Sequence, residues 1–498
     1  MSKSALDQAS RLIDAGRPQE SLAITAALVT APSSEPRAYA LHSAALKALG
    51  RREEALGFDR RAVGRFPQSR IAWHNLGATL GDLGQSQAAI EALDRAFGLG
   101  LDAPETWLVY ARALAACGAH DKAEEAYRKV VQKSPANPAR AGELAEFLWM
   151  RQADLQAAFE VLAGAETAGA AVPEIRMQQA RLLETAGEGE RALELLSAAA
   201  AGAPHNAALA LAVAQAAIKS GQLPIAESQL RRAAQLLPGR AVIHNEFATL
   251  QIAQGRPDLA LKNAFDGLQV ERWNQSLWGL AATAARLLDD PIYPMLCDYE
   301  AMVAVYDLEA PEGWDTQEAF LGDLGAALHG LHGHRREPAN QSVRNGSQTT
   351  HLLSGFPDPA IRAAFTAFDV AIRSYMSNLG SGADPLRSRN TGAYRIQGAW
   401  SVLLGRGGFH TDHLHMEGWI SSAFYVEVPK VVATTDAHEG WLRFGASPLV
   451  SPTPCPAERY VQPRPGRLVL FPSYMWHGVV PFSGDEQRLT MAFDLTPA

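Results

Sequence analysis

The stretch Trp73-His74-Asn75-Leu76-Gly77 belongs to a repeating pattern that decides the fold of the first half of the chain. Glycines recur every 34 residues in two series, separated by one step of 69 residues: Gly16, Gly50, Gly84 and Gly118, then Gly187, Gly221 and Gly255. An alanine falls five residues after six of these glycines: Ala55, Ala89, Ala123, Ala192, Ala226 and Ala260. A fixed period of this length predicts an array of small stacked units.

Each unit is predicted to be a helix, a tight turn at the glycine and a second helix. An aromatic residue lies eleven positions before three of the glycines, at Tyr39, Trp73 and Trp107, and is expected to fill the gap between the two helices. The small alanine lets the helices approach each other. One such unit cannot bury its apolar face alone, so neighbouring units must stack.

This pattern resembles the tetratricopeptide repeat, and Trp73-His74-Asn75-Leu76-Gly77 with Ala89 and Ala96 is similar to its consensus. We therefore predict an α-solenoid of tetratricopeptide repeats over residues 1–285. The resemblance implies a concave groove that holds a protein or peptide partner. A scaffold that only supports the next domain remains the alternative interpretation.

The composition limits the class of protein. A chain of 498 residues is too long for a single core, so two or three domains are expected. The net charge of −8 disfavours nucleic-acid binding by phosphate neutralisation. The sequence contains no run of eighteen apolar residues, so no membrane-spanning helix is expected. Three scattered cysteines and the lack of a signal-peptide pattern predict a cytoplasmic protein.

The rhythm changes after residue 285. We predict a helical linker over 286–334, with a helix from Thr316 to His329, and a second domain over 335–498. That domain is predicted to contain a helix from Pro359 to Leu379, capped by Asp358. Short strand patterns separated by turn residues follow from residue 393 and predict a double-stranded β-helix, or jelly roll. The predicted strands are Trp400–Leu404, Ile420–Val428, Trp441–Phe444, Arg467–Phe471 and Arg488–Leu495.

The run Phe409-His410-Thr411-Asp412-His413-Leu414-His415 concentrates metal-binding side chains near the end of a predicted strand. Residues at i and i+2 of an extended chain point the same way, so His410 with Asp412 and His413 with His415 are both candidate ligand pairs. His477 would complete either set as a third ligand on one side of the metal. Arg488 and Thr490 share one face of the last strand and are suited to binding a carboxylate.

Residues from about 335 onward resemble the 2-oxoglutarate/Fe(II)-dependent oxygenase superfamily, in particular a bacterial branch often fused to tetratricopeptide repeats. The similar segments include His413-Leu414-His415, Gly466-Arg467-Leu468-Val469-Leu470-Phe471-Pro472-Ser473, Trp476-His477 and Arg488-Leu489-Thr490, and, upstream, Gln341 to Thr349. The resemblance implies the cofactors Fe(II) and 2-oxoglutarate. It also implies iron ligands at His413, His415 and His477, and 2-oxoglutarate binding by Arg488 and Thr490.

The roles of the remaining candidates stay open at this stage. His410 and Asp412 either orient the ligands and receive substrate, or replace His413 and His415 as ligands beside His477. Gln341, Arg344 and Gln348 either line the substrate entrance or cap a helix.

The predicted function is a dioxygenase that hydroxylates a C–H bond on a protein or peptide held by the repeats. Three alternatives remain: a three-histidine cupin-type dioxygenase or isomerase without 2-oxoglutarate, a non-catalytic repeat scaffold, and an enzyme acting on a free small molecule.

Overall fold

The structure is a computed structural model that describes residues 2–31, 34–152, 154–333, 341–349, 352–434 and 437–498. The predicted domain boundary at 334/335 lies outside these residues. The chain divides into two compact units. The first contains residues 1–134 with 350–357, and the second contains residues 135–349 with 358–498.

The first unit is helical. Its helices are α1 (Ser2–Asp14), α2 (Pro18–Thr30), α3 (Pro36–Ala48), α4 (Arg52–Arg65), α5 (Arg70–Asp82), α6 (Ser86–Gly98), α7 (Pro104–Ala116) and α8 (His120–Lys133). A short 3-10 turn, Leu353–Gly355, completes the described part of this unit.

In the described part of the second unit, nine helices come first and continue the helix–turn–helix pattern. They are α9 (Pro138–Gln152), α10 (Leu155–Thr167), α11 (Val172–Thr185), α12 (Gly189–Gly202), α13 (Ala207–Lys219), α14 (Leu223–Leu236), α15 (Ala241–Ala253), α16 (Pro257–Val270) and α17 (Gln275–Leu287). Two short helices follow, α18 (Tyr293–Leu296) and α19 (Tyr299–Met302). Two longer helices come next, α20 (Gln317–His329) and α21 (Pro359–Leu379), and the short helix α22 (Lys430–Thr434) is the last.

The predicted repeat pattern is confirmed within each unit. All seven periodic glycines have φ between 69° and 83°, the left-handed region in which a glycine ends a helix without strain. All six periodic alanines have no solvent exposure. The step of 69 residues contains the pair α9 and α10, where Asp154 caps α10 by accepting a hydrogen bond from the Ala157 amide.

The rest of the second unit contains two antiparallel sheets. The strands are β1 (Ala304–Asp307), β2 (Val343–Gln348), β3 (Tyr394–His410), β4 (Ile420–Glu427), β5 (Leu442–Phe444), β6 (Arg459–Val461), β7 (Arg467–Pro472), β8 (His477–Val479) and β9 (Arg488–Pro497). A six-stranded sheet has the order β1-β7-β4-β9-β3-β2, and a three-stranded sheet has the order β6-β5-β8. Phe444 of β5 contacts Phe471 of β7, with ring centroids 5.1 Å apart, so the two sheets pack on each other there.

The five predicted strands are confirmed, with β3 extending well beyond the predicted Trp400–Leu404. The helices α20 and α21 also match their predictions, and Thr316 and Asp358 cap them. Four strands were missed: β1, β2, β6 and β8. The strand β1 lies within the segment predicted as a helical linker and pairs with β7 at an edge of the larger sheet.

Helix α17, the last of the repeat helices, packs directly on the loops of the sheet region. The Trp476 indole donates a hydrogen bond to the Thr283 hydroxyl at 2.8 Å, and Arg286 donates one to the Gly445 carbonyl at 2.8 Å. A Cβ atom on Gly279 would lie 2.6 Å from the side chain of Leu414 and 3.1 Å from the Tyr474 carbonyl oxygen. A side chain at position 279 would therefore force Leu414 and the Tyr474 backbone to move.

We expect Gly279→Ala to lower the thermal stability of the second unit, because Leu414 and the Tyr474 backbone leave no room for the added methyl group. Overpacking of this kind costs about 1–3 kcal/mol. Gly164→Ala in α10 is the matched control, since a Cβ atom there meets nothing within 4 Å. It should instead stabilise the helix by about 1 kcal/mol. Equal stabilisation by both substitutions in thermal unfolding of the full chain would contradict the packing seen at Gly279.

Across the described ranges, no helix is both long and apolar enough to cross a lipid bilayer.

Candidate active site

Three histidines are brought together where a loop of the large sheet meets the small sheet. His413 and His415 lie in the loop between β3 and β4, and His477 begins β8. The backbones of His413 and His477 form an isolated antiparallel bridge, with N–H to carbonyl distances of 2.9 and 3.2 Å. The His415 amide donates to the Ser473 carbonyl at 3.0 Å. These backbone bonds fix the loop that carries both histidines against the segment that carries the third.

The side chains of His413, His415 and His477 form a cluster with metal-binding geometry. Each offers one ring nitrogen, and these nitrogens lie within 4.8 Å of one another. His477 is buried, whereas the other two are partly exposed to a cavity. Among the described residues, no other group of three or more histidine, cysteine or acidic side chains has its ligand atoms this close together.

In each of the three rings, Nδ1 forms a hydrogen bond to the protein, and Nε2 is the nitrogen left to bind a metal ion. The Nδ1 atom of His413 lies 2.8 Å from the Thr411 carbonyl, and that of His477 lies 3.0 Å from the Met475 carbonyl. The Nδ1 atom of His415 lies 2.6 Å from a carboxylate oxygen of Asp494. Carbonyls and carboxylates only accept hydrogen bonds, so each Nδ1 carries the proton and each Nε2 of a neutral ring keeps its lone pair.

Two of these lone pairs face each other. The Nε2 atoms of His413 and His415 are 3.1 Å apart, and with both Nδ1 atoms protonated no hydrogen atom lies between them. The Ser342 hydroxyl is 3.2 Å from Nε2 of His413 and 2.9 Å from Nδ1 of His410. Facing lone pairs repel each other, so the arrangement favours a cation between the rings.

Burial keeps His413 and His477 neutral. It lowers the pKa of His413 to about 3, with a further contribution from His415. Burial also lowers the pKa of His477 well below its usual value, and the neighbouring His413 and His415 add to this shift. Neutral imidazole is the form that binds a metal ion, so His413 and His477 are ready to act as ligands at neutral pH.

Asp494 orients His415 and was missed by the sequence analysis. Its carboxylate also accepts a hydrogen bond from Ser421 at 2.7 Å, and Ser421 contacts the Ser473 hydroxyl at 2.8 Å. Strand alternation could have found it, because Arg488, Thr490 and Asp494 are separated by even numbers of residues on β9 and line the same cavity. A carboxylate that orients a metal-binding histidine raises the basicity of the ligand nitrogen.

The histidines open into a cavity of about 420 Å³ that also receives Arg488 and Thr490. Both residues are buried, at 2% and 4% exposure. The Arg488 guanidinium lies 4.9 Å from the ring centroid of Tyr425, and its Nε has no hydrogen-bond partner. No ion pair to Arg488 exists within the described ranges. Burial lowers the pKa of Arg488, and Tyr425 opposes this shift. Among the described residues, no carboxylate pairs with this buried guanidinium.

His410 and Asp412 lie beside the cluster without joining it. The Asp412 carboxylate forms a two-point ion pair with Arg443 of β5, at 2.9 and 2.6 Å. His410 lines the cavity and contacts Ser342. Burial lowers its pKa well below the usual value, with the nearby His413 and Arg488 adding to the effect. The structure thus brings His413, His415 and His477 together, whereas the Asp412 carboxylate is paired with Arg443.

Gln341 and Gln348 line the same cavity, and their role at a substrate entrance stays a prediction. Arg344 does not line it, and its guanidinium donates hydrogen bonds to the carbonyls of Gln341 and Val343, both at 2.6 Å. Gln348 and Arg344 lie on β2, so the alternative interpretation that these residues cap a helix is wrong for them.

Residues 398–494 match the protein family described as "Putative 2OG-Fe(II) oxygenase", and residues 74–138 match the tetratricopeptide repeat family. The chain therefore has a tetratricopeptide-repeat region and a 2OG-Fe(II) oxygenase-family domain. The oxygenase-family match spans β3 to β9 and so includes all three clustered histidines and Arg488.

Several solved structures are similar to the chain. A tetratricopeptide repeat protein from Parabacteroides merdae is 13% identical, with 49% of this chain and 97% of that chain covered and a TM-score of 0.36. PilF of Pseudomonas aeruginosa is 17% identical, with 43% and 96% covered and a TM-score of 0.31. A chain of the APC/C hetero-tetramer Cut9-Hcn1 is 18% identical, with a TM-score of 0.32. This alignment covers 56% of our chain but only 55% of the Cut9-Hcn1 chain, so our chain spans about half of that relative's length. No curated protein matches the chain.

The residues of the oxygenase-family domain fit the metal and co-substrate that the family implies. Two nitrogens about 2.1 Å from one metal ion and at right angles to each other are about 3.0 Å apart, close to the spacing of the His413 and His415 Nε2 atoms. Arg488 supplies a buried guanidinium without a carboxylate partner, which suits the distal carboxylate of 2-oxoglutarate.

Proposed function

We propose that the chain is a 2-oxoglutarate- and Fe(II)-dependent dioxygenase that hydroxylates a C–H bond on a protein or peptide. In this proposal His413, His415 and His477 hold the iron, and Arg488 with Thr490 binds 2-oxoglutarate. The catalytic domain is residues 335–498, joined through residues 286–334 to a repeat array over residues 1–285. A cytoplasmic location remains a prediction.

One observation carries the proposal. Three imidazoles present their Nε2 atoms to one point, and a buried guanidinium that has no anionic partner among the described residues lines the same cavity. A metal site explains the histidines alone, but it leaves the buried charge of Arg488 unexplained. A dianionic co-substrate accounts for both, so the geometry favours 2-oxoglutarate over a three-histidine cupin-type enzyme.

The chain's own residues position the reaction. The three histidines would hold the metal ion beside the cavity that they line, where a co-substrate and a substrate could reach it. Asp494 and the carbonyls of Thr411 and Met475 hold the imidazoles in one orientation and one tautomer. The apolar residues Leu442, Phe471 and Ala492 line the same cavity and help to exclude water. When bound, iron and 2-oxoglutarate supply the oxidising chemistry for hydroxylation.

The repeats supply the argument for a macromolecular substrate. Tetratricopeptide repeats commonly bind peptides or partner proteins, and the helix α17 contacts the loops that carry the catalytic histidines. A peptide bound by the repeats would therefore be held near the metal.

An anaerobic titration tests the proposal. Fe(II) followed by 2-oxoglutarate should produce the weak visible charge-transfer band of the chelated pair, and air should then release succinate. Mg²⁺ in place of Fe(II) is the control and should give no band. Iron binding without a band and without succinate would favour the cupin-type alternative, and the lack of iron binding would favour the scaffold.

A further inference from the structure

A second cavity of about 900 Å³ lies between the repeat helices and the metal-site loop. One wall comes from α11, α12 and α13, including Arg181, Leu196 and Leu211. The other wall is formed by the segments 341–344 and 411–414. Helices α11 and α13 are the first helices of their repeats, so the wall is built from equivalent helices of neighbouring units.

The second cavity adjoins the first at the metal site. Gln341, Ser342, His413 and Leu414 line both cavities. A chain segment lying in the second cavity would therefore extend directly to His413. This continuity gives the repeats a specific role, because it connects a surface on α11–α13 with the point where the three histidines meet.

The charged side chains of the second cavity are mostly cationic. Arg181, Lys219 and Arg344 line it, and Glu184 is its one acidic residue within the described part of the chain. Lys219 forms an ion pair with Glu184 at 2.6 Å, and no acidic side chain of the described residues pairs with Arg181 or Arg344. The chain as a whole has a net charge of −8, so the positive charge of this cavity is opposite in sign to that of the whole chain.

Arg344 is held in place for binding. Its Nη1 atom donates to the carbonyls of Gln341 and Val343, which fixes the guanidinium in the wall of the second cavity, close in sequence to the shared residues Gln341 and Ser342. A guanidinium has five N–H donors, so several remain for a ligand. Arg344 also lies on β2 opposite Phe409, next to the pair formed by Val343 and His410. Its position is therefore set by the same strands that carry the metal-site loop.

We propose that this second cavity binds an acidic peptide and presents a neighbouring residue of that peptide to the metal site. The proposal rests on the proposed function for the identity of the reaction, but the binding step itself does not require iron. In this proposal the guanidinium groups of Arg181 and Arg344 bind carboxylate side chains of the peptide. Met177, Leu196 and Leu211 contact its apolar parts. Nucleic acid is disfavoured by the net charge of the chain.

Fluorescence anisotropy with labelled peptides tests this directly on the full chain. The probes are a fluorescein-labelled peptide of alternating glycine and aspartate, the same peptide with asparagine, and the same peptide with lysine. We expect the aspartate peptide to bind about tenfold or more tightly than the asparagine peptide. The preference should weaken when NaCl rises from about 0.1 M to about 1 M, since the screening length falls from about 10 Å to about 3 Å.

Two matched substitutions locate the site. Arg181→Glu should reduce the preference for the aspartate peptide about tenfold, whereas Arg240→Glu makes the same charge change at an exposed position outside the cavity and should leave it unchanged. Arg344→Gln should reduce the preference as well, while keeping donors for the two carbonyls.

The outcomes separate this inference from the proposed function. Equal binding of the aspartate and asparagine peptides, or equal effects of Arg181→Glu and Arg240→Glu, would overturn the inference even if the iron–2-oxoglutarate band forms. Selective binding by a protein that never forms this band would support the acidic-peptide site and reject the dioxygenase.

Discussion

His413→Ala will eliminate the iron–2-oxoglutarate band, whereas Asp412→Asn will retain it. The Nε2 atom of His413 lies in the three-histidine cluster, 3.1 Å from that of His415, while the Asp412 carboxylate is bound at two points by Arg443. Removing a ligand should weaken iron binding by more than about 100-fold, since even residues that only support a ligand cost 10–100-fold. Anaerobic Fe(II) titration, followed by the visible band after addition of 2-oxoglutarate, measures both variants.

Stability must be measured beside the band, because the two variants affect folding differently. Asp412→Asn removes one charge of a largely buried ion pair, and breaking such a pair can cost about 3–5 kcal/mol. We therefore expect Asp412→Asn to unfold at a lower temperature and still bind iron. The reverse pattern, a band that survives His413→Ala and is lost in folded Asp412→Asn, would assign the ligands to His410, Asp412 and His477.

The repeat region could be predicted from the sequence because its pattern is local. A glycine in the left-handed conformation and a fully buried alanine recur at the same phase, and each is fixed by contacts within one helix pair or its neighbour. The strands β1 and β2 lacked such a signal. The strand β1 has only four residues with alternating partial exposure, and β2 contains Asn345 and Gly346, which disfavour a strand and coincide with an irregular register.

The sequence could reduce the metal ligands to two candidate sets but could not choose between them. Spacing of two residues allows His410 with Asp412 as well as His413 with His415. The structure distinguishes them through residues distant in sequence: Arg443 of β5 pairs with Asp412, and Asp494 of β9 binds His415. The isolated bridge between His413 and His477 is likewise a long-range contact. Such contacts depend on how the two sheets are arranged, which residue spacing does not determine.

Under the proposed function, Arg488 is the residue whose loss should weaken 2-oxoglutarate binding most. We expect Arg488→Met to reduce the affinity for 2-oxoglutarate about 100-fold or more, because a buried carboxylate would lose its cationic partner. Iron binding should remain, since Arg488 is not among the clustered ligands. Isothermal titration of the Mn²⁺-loaded protein with 2-oxoglutarate measures the loss without turnover.

The same substitution should leave the ligand-free protein as stable as the wild type or more stable. Arg488 is 2% exposed and has no ion-pair partner in the described structure, so methionine removes an uncompensated buried charge at similar volume. Arg467→Met on β7 is the matched control, because its guanidinium pairs with Asp307 at 2.6 Å and does not line the cavity. It should keep the affinity for 2-oxoglutarate and lose some stability. A fall in stability with unchanged affinity for Arg488→Met would show that Arg488 supports the fold and does not bind the co-substrate.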